Sequence, residues 1–257
     1  GKATIQFLLQ KTIPSEIVAV VRDPEKVTIL SDVGIVIRKA DYNDFDSLVK
    51  AFQGVKRLLQ ISTTSTGEEG IRQEANVVEA AKINSVNHIV YTSSLRPRSN
   101  TYFLATIQAL KTEDAIKSSG MNYTFFRNSL YLEAIPNLIG NTLQEGIIHY
   151  PAADGRVSFV SRVDIAEAIS IVLSEEGHTN CIYEITGLKA HTFSEIADIL
   201  SKIKDKPYDY KSISLEAYRN ELAAYHLPVS VIDVLVSMAR GIQHGELSRV
   251  DHALGTI

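Results

Sequence analysis

The chain has 257 residues, 45% of them hydrophobic and 22% charged, with a net charge of −4 and one cysteine. This is ample for a sizeable core in one large domain, or in a domain with a smaller lobe. Mild acidity gives no basic field for nucleic acid, no apolar run approaches a bilayer-spanning length, and the lone Cys181 excludes an intrachain disulfide framework, so the expected compartment is a reducing cytoplasm.

"GKATIQFLLQK" at the start reads as a helix with no strand ahead of it. "EIVAVV" (16–21) is short and β-branched, as a buried strand is. "DPEKVTILSD" begins with a Pro suited to a helix start, and "GIVIRKAD" (34–41) reads as the next strand. "DFDSLVKAFQG" is a helix with Asp44 as N-cap and Gly54 just past its end. "VKRLLQIS" (55–62) is a strand, "TTSTGEEG" a polar loop, and "GIRQEANVVEAAKINS" a longer helix. "HIVYTSS" (88–94) is a strand, "FLATIQALKTEDAIKSSG" a helix ending at Gly120, and "NYTFFRNS" (122–129) a strand. Beyond about residue 130 the rhythm loosens: "LEAIPNLIGNTLQEG" is helical, "HYPAADGRVSFVS" is rich in turns, "RVDIAEAISIVLSEEG" is an amphipathic helix and "CIYEITG" a strand. "TFSEIADILSKI", "YDYKSIS", "SLEAYRNELAAYHL" and "VSVIDVLVSMARG" then read as a smaller, mostly helical lobe. The last stretch, "DHALGTI", has no clear cap and looks cut.

Strands apolar on both faces, alternating with helices, predict an α/β fold: a Rossmann-like, doubly wound parallel sheet. Residues 1–130 form the expected dinucleotide-binding domain, which also receives the helix and strand of 163–187; the remainder of 131–257 forms the substrate-side lobe. In such sheets ligands bind beyond the carboxyl ends of the strands, so strand ends are the candidate site.

Arg22 lies 21 positions after Gly1, and in dinucleotide folds the residue about 20 positions past the glycine-rich turn meets the adenosine ribose. An Arg there holds a 2′-phosphate by a charge-assisted fork and predicts NADP(H); the alternative is a solvated strand-end Arg. Lys26 adds charge or is a plain surface residue. Asp41 either accepts from the adenine amino group, beside Tyr42, or belongs with Asp44 to the cap of the next helix. Ile61, Ser62 and Thr63 suit close passage of a dinucleotide or form an ordinary loop. Tyr91 and Ser93 in "YTSS", and Arg127, Asn128 and Tyr131 in "FFRNSLY", are the candidates nearer the nicotinamide, with Ser129 beside them. Asn128 has an alternative as a turn former.

The proton donor of short-chain dehydrogenases is a Tyr with Lys four residues on, one helical turn apart, so that the cation lowers the Tyr pKa. No tyrosine has this partner: Tyr102 meets Thr106, Tyr123 meets Arg127 and Tyr131 meets Ile135. Lys111 approaches a substrate oxygen or pairs locally with Glu113 or Asp114. The seven histidines show no i, i+3 or i, i+4 spacing, so no metal site is expected. Cys181 is expected to be a small buried residue and not a nucleophile.

"VVRDPEK", "ADYND", "QIS", "VVEAAK" followed by "VNHIVYTSS", "KTEDAIKSSGMNYTFFRN" and "RVDIAEA", in this order and spacing, resemble the NmrA-like branch of atypical short-chain dehydrogenases/reductases, nearest to its type 2 NAD(P)H:quinone oxidoreductase members. The resemblance covers nearly the whole chain. It implies that Gly1 is the last glycine of a G-x-x-G-x-x-G turn, with a first strand and the remainder of that pyrophosphate-holding loop missing ahead of it. It strengthens the assignment of Arg22 to the 2′-phosphate and of "FRNSLY" to the cleft. It further implies an oxidoreductase passing hydride from NADPH to a quinone or similar small carbonyl acceptor, cytoplasmic, acting on no nucleic acid and no membrane, with a homodimer left open. Quinone-reducing members tend to carry a His on the helix before the "TE" pair, where this chain has Ala109. A regulatory NADP(H)-binding sensor that turns nothing over is the alternative, and an isoflavone-reductase-like enzyme using Lys111 is a third.

Overall fold

Short β-branched runs and amphipathic stretches alternate through the first half of the chain, and they fold in that order. The computed structural model describes residues 1–257. Helix α1 (Lys2–Leu8) leads to β1 (Val18–Val21), α2 (Thr28–Asp32), β2 (Val36–Lys39), α3 (Phe45–Ala51), β3 (Arg57–Gln60), α4 (Gly67–Ile83), β4 (His88–Ser94), α5 (Ala105–Ser118) and β5 (Asn122–Asn128). Then come α6 (Ile135–Ile139), α7 (Thr142–Glu145), β6 (Ile147–His149), α8 (Arg162–Ser174), β7 (Cys181–Ile185), α9 (Phe193–Lys204), β8 (Asp209–Lys211), α10 (Leu215–Ala224) and α11 (Val229–Gln243).

All strand pairs are parallel. The main sheet has the order β3-β4-β5-β7, and β1-β2 and β6-β8 form two-stranded sheets of their own. Alternation along the central strands builds two cores. Ile89, Tyr91 and Phe125 face α3, α4 and α5 with Leu48, Phe52 and Val77. Val90 and Phe126 face α8 with Ile165, Ile169 and Val172. Helices therefore cover both faces, as doubly wound sheets require. A third cluster, around Ile148, Tyr150, Phe193 and Ile242, holds α6, β6, α9, α10 and α11 together.

Several expectations shift. The loop read from "TTSTGEEG" ends early, because Gly67–Gly70 form the first turn of α4. Glu68 and Glu69 favour the positive end of that helix. The single helix expected over 132–146 is broken at Gly140, whose φ of +51° a side chain resists, so a 3-10 turn, α6 and α7 replace it. "YDYKSIS" supplies β8, which gives the lobe a small parallel sheet among its helices. "DHALGTI" forms a 3-10 turn at Ala253–Gly255, and Ala253, Leu254 and Ile257 pack against the α8 and β7 cluster. Cys181 is not buried: it opens edge strand β7 half-exposed, its thiol reaching the Thr179 carbonyl at 3.6 Å.

Candidate active site

The carboxyl ends of β1, β2, β3, β4, β5 and β7 define one edge. Val21 O accepts from Ala40 N at 3.0 Å, so Arg22 and Asp41 leave their sheet side by side. The Tyr42 hydroxyl donates to Ile61 O at 3.1 Å and ties this small sheet to the main one. At the start of α1, a Cβ on Gly1 would stand 3.6 Å from Ile61 Cδ1, an ordinary contact. The structure thus brings Gly1, Arg22, Asp41, Ile61, Ser62 and Thr63 to one rim.

Arg22 is exposed and free of ion pairs and hydrogen bonds, so its guanidinium is available to an anion. Lys26 pairs with Asp23 at 3.2 Å on the surface. Asp44, and not Asp41, caps α3 by accepting from Ser47 N, as its sequence position predicts. Asp41 accepts from Asn43 N at 2.8 Å in a tight turn. Ser62 N donates to Thr92 Oγ1 at 2.9 Å and Thr63 N to Glu74 Oε1 at 3.0 Å, which fixes the loop after β3.

Glu74 is fully buried and has no cation in contact. Besides Thr63 N, it accepts from Tyr91 Oη at 2.6 Å, Gln108 Nε2 at 3.0 Å and Thr112 Oγ1. Four neutral donors replace the water a carboxylate would otherwise bind. Tyr91, expected at the cofactor cleft, therefore lies inside the α4–α5 layer. Burial first, and then the Glu74 charge, raise its phenol well above its ordinary value, so it holds its proton.

Ser93 and Arg127 also differ from expectation. Ser93, Arg127 and Glu184 are successive neighbours across β4, β5 and β7. Above that row stands Glu113 of α5, fully buried. Ser93 Oγ donates to Glu113 Oε1 at 2.7 Å; Arg127 Nε and Nη2 form a fork on the same carboxylate at 2.9 and 2.7 Å, and Nη1 reaches Glu184 at 3.3 Å. Such a pair is tolerated inside because both ions are hydrogen-bonded as well as opposed in charge. Both side chains are engaged within the protein. Lys111 stays exposed and pairs with neither Glu113 nor Asp114, since Arg127 and Lys117 take Glu113.

The next row reverses face. Ser94, Asn128 and Ile185 are aligned across the same three strands. Asn128 is 6% exposed, and its amide lies beside the Tyr131 hydroxyl without a well-formed hydrogen bond from either Oδ1 or Nδ2. Beside it, burial raises the Tyr131 phenol, which the Asn128 amide partly offsets. Arg162 lies 4.8 Å over the Tyr131 ring. Ser129 is buried and bonds Ser158 Oγ at 3.1 Å. At a strand end, a buried amide without a well-formed hydrogen bond offers its Nδ2 donor to a ligand carbonyl, and both of its atoms to a ligand carboxamide.

Glu74 was not among the residues the sequence singled out, and Glu113 entered only as a local partner for Lys111, although a signal was there. Each sits on the apolar stripe of its helix: Glu74 with Gly70, Val77, Val78 and Ala81, and Glu113 with Ala109 and Ile116. An acid in such a stripe requires dedicated donors.

The model of the NmrA-like family matches residues 1–256. Quinone oxidoreductase 2 of Escherichia coli strain K12 is 36% identical over 240 residues, which is 93% of this chain and 83% of that protein. The crystal structure of Citrobacter sp. triphenylmethane reductase complexed with NADP(H) superposes with a TM-score of 0.91 at 35% identity, over 100% of this chain and 90% of that one. The NADPH complex of the Escherichia coli NADPH-dependent quinone oxidoreductase gives 0.91 at 33% identity, with the same coverage.

Proposed function

The chain belongs to the NmrA-like family, and from that premise we propose that it is an NADPH-dependent oxidoreductase acting on a quinone or a similar small carbonyl-bearing acceptor. The observation that carries this reading is the buried Asn128 amide, which has no well-formed hydrogen bond on either atom at the carboxyl edge of the central strands. Left unpartnered, a group of this kind costs about 1–3 kcal/mol, so a ligand that pairs with it gains a comparable amount.

NADPH, when bound, supplies a hydride. The chain's own residues bind and orient. Arg22 would hold the 2′-phosphate, and the Gly1 end of α1 would face the pyrophosphate. Asp41, Ile61, Ser62 and Thr63 border the adenosine and ribose path. Asn128 and Tyr131 align the reacting end. Tyr91, Ser93 and Arg127 support this edge from within through Glu74 and Glu113 and touch no ligand. Tyr91 is locked on Glu74, so it donates no proton to substrate. A quinone needs no such acid, because its oxygens take protons from water, and positioning supplies the main catalytic effect. On its single cysteine we place the protein in the cytoplasm. No helix is long and apolar enough to cross a membrane.

The test is NADPH oxidation followed by absorbance with a panel of simple quinones. Wild-type protein turns over at least one of them, and Asn128→Ala lowers kcat/KM by roughly tenfold or more, as the loss of one ligand hydrogen bond in a dry site does. No turnover across the panel would remove the reading.

A further inference from the structure

The loop from Leu95 to Leu104, between β4 and α5, starts on Asn128 itself: Leu95 N donates to Asn128 O at 2.9 Å. The next residue, Arg96, has φ +49°, a left-handed conformation that a residue with a side chain adopts only when its surroundings enforce it. The loop's far end is tied down. Glu246, just past α11 and 7% exposed, accepts from Arg98 Nη2 at 2.6 Å, Thr101 Oγ1 at 2.8 Å, Tyr102 N at 3.0 Å and Phe103 N at 3.1 Å. Tyr102 also stacks on His244 with ring centroids 3.9 Å apart. Close approach is built in, because a Cβ on Gly241 would lie 3.0 Å from Glu246 Oε2 and 3.1 Å from Phe103 Cβ.

The residue after Glu246 reaches the other side of Asn128. Leu247 O accepts from Ser158 N at 3.0 Å, and Ser158 Oγ bonds Ser129 Oγ at 3.1 Å. The segment Glu246–Leu247 thus braces both chain neighbourhoods that hold the Asn128 amide, one through a carboxylate and one through a carbonyl.

We propose that Glu246 is a positioning residue of the reaction: it anchors the β4–α5 loop to the end of α11 and thereby holds Asn128 where the acceptor binds. This rests on the reading of Asn128 given above. It separates cofactor affinity, set at the Arg22 rim, from acceptor alignment, set by the lobe.

The test compares wild-type protein, Glu246→Gln, Arg98→Gln, Asn128→Ala and the double variant Glu246→Gln/Asn128→Ala. Each is assayed for kcat/KM with 1,4-naphthoquinone and for NADPH Kd by fluorescence titration. Glu246→Gln lowers kcat/KM at least fivefold, while NADPH Kd stays within twofold. Arg98→Gln, at the half-exposed end of the ion pair and safe for folding, lowers it at least twofold. In the Asn128→Ala background Glu246→Gln adds less than twofold, the coupling expected if Glu246 acts through Asn128. Equal kcat/KM in wild type and both anchor variants overturns the proposal, as do full additivity or a parallel loss of NADPH affinity. If wild type turns over nothing, or Asn128→Ala is fully active, the underlying reading falls and this proposal with it.

Discussion

Glu74 and Arg22 show how differently a charge behaves when it is buried and when it is free. Glu74 has all its acceptor capacity taken by Thr63 N, Tyr91, Gln108 and Thr112. Glu74→Ala strands four donors in a dry layer and is expected to cost about 3–5 kcal/mol, read as a lowered denaturant midpoint. Glu74→Gln keeps the shape, and the Tyr91 and Thr112 hydroxyls can turn to accept from its amide, so its cost is expected to stay near 1 kcal/mol. Arg22 has no partner within the protein. Arg22→Ala should leave stability unchanged and weaken NADPH binding by about 1.5–3 kcal/mol while sparing NADH; titration of both cofactors reads the difference, and equal losses would contradict the 2′-phosphate role.

Among the elements, α4 and α3 carry the loops of the cofactor rim. Gly70 is buried in the first turn of α4, where a Cβ would come within 2.4 Å of the Ser65 carbonyl oxygen and of Gln108 Oε1. The backbone oxygen has no room to move unless the loop moves with it. Gly70→Ala should therefore cost about 1–3 kcal/mol in thermal or chemical unfolding and also weaken NADPH binding, because the displaced loop is the one that bears Ser62 and Thr63. Asp44→Ala should cost about 1 kcal/mol in the same unfolding measurement by removing the cap on Ser47 N. This second change was legible in the sequence, since a cap depends on neighbours three residues apart. The first was not, because Gln108 meets Gly70 only when α4 and α5 pack together.

For the molecule as a whole, pH separates two groups that link distant parts of the chain. His88, at the start of β4, bonds Thr124 at 2.8 Å, and burial first, then the nearby Arg57 charge, lower its pKa below the ordinary 6.5. The unfolded chain then takes up the proton first, so stability falls as pH drops below about 6.5, and His88→Asn should flatten that decline. Glu246 behaves as a depressed acid: burial would raise it, but the Tyr102 N–H, Arg98, Thr101 and Phe103 N–H together hold it below 4.5. Its contribution is present above pH 4.5 and is lost as pH falls towards the folded value, a second decline that Glu246→Gln should reduce. Unfolding midpoints measured from pH 8 to pH 3 separate the two windows. By itself the sequence determined the alternation of strands and helices, the two-faced burial of the parallel strands, the cap at Asp44 and the placing of Arg22, Ile61–Thr63 and Asn128 at strand ends, because these depend on periodicity and on neighbours a few residues away. Only the tertiary structure decided that Tyr91 turns inward to Glu74, that Ser93 and Arg127 are held by Glu113 and Glu184, that Asn128 is left without a well-formed hydrogen bond, and that Glu246 reaches residues more than a hundred positions earlier. Which donor meets which acceptor across packed layers depends on three-dimensional distance, and local pattern carries no record of it.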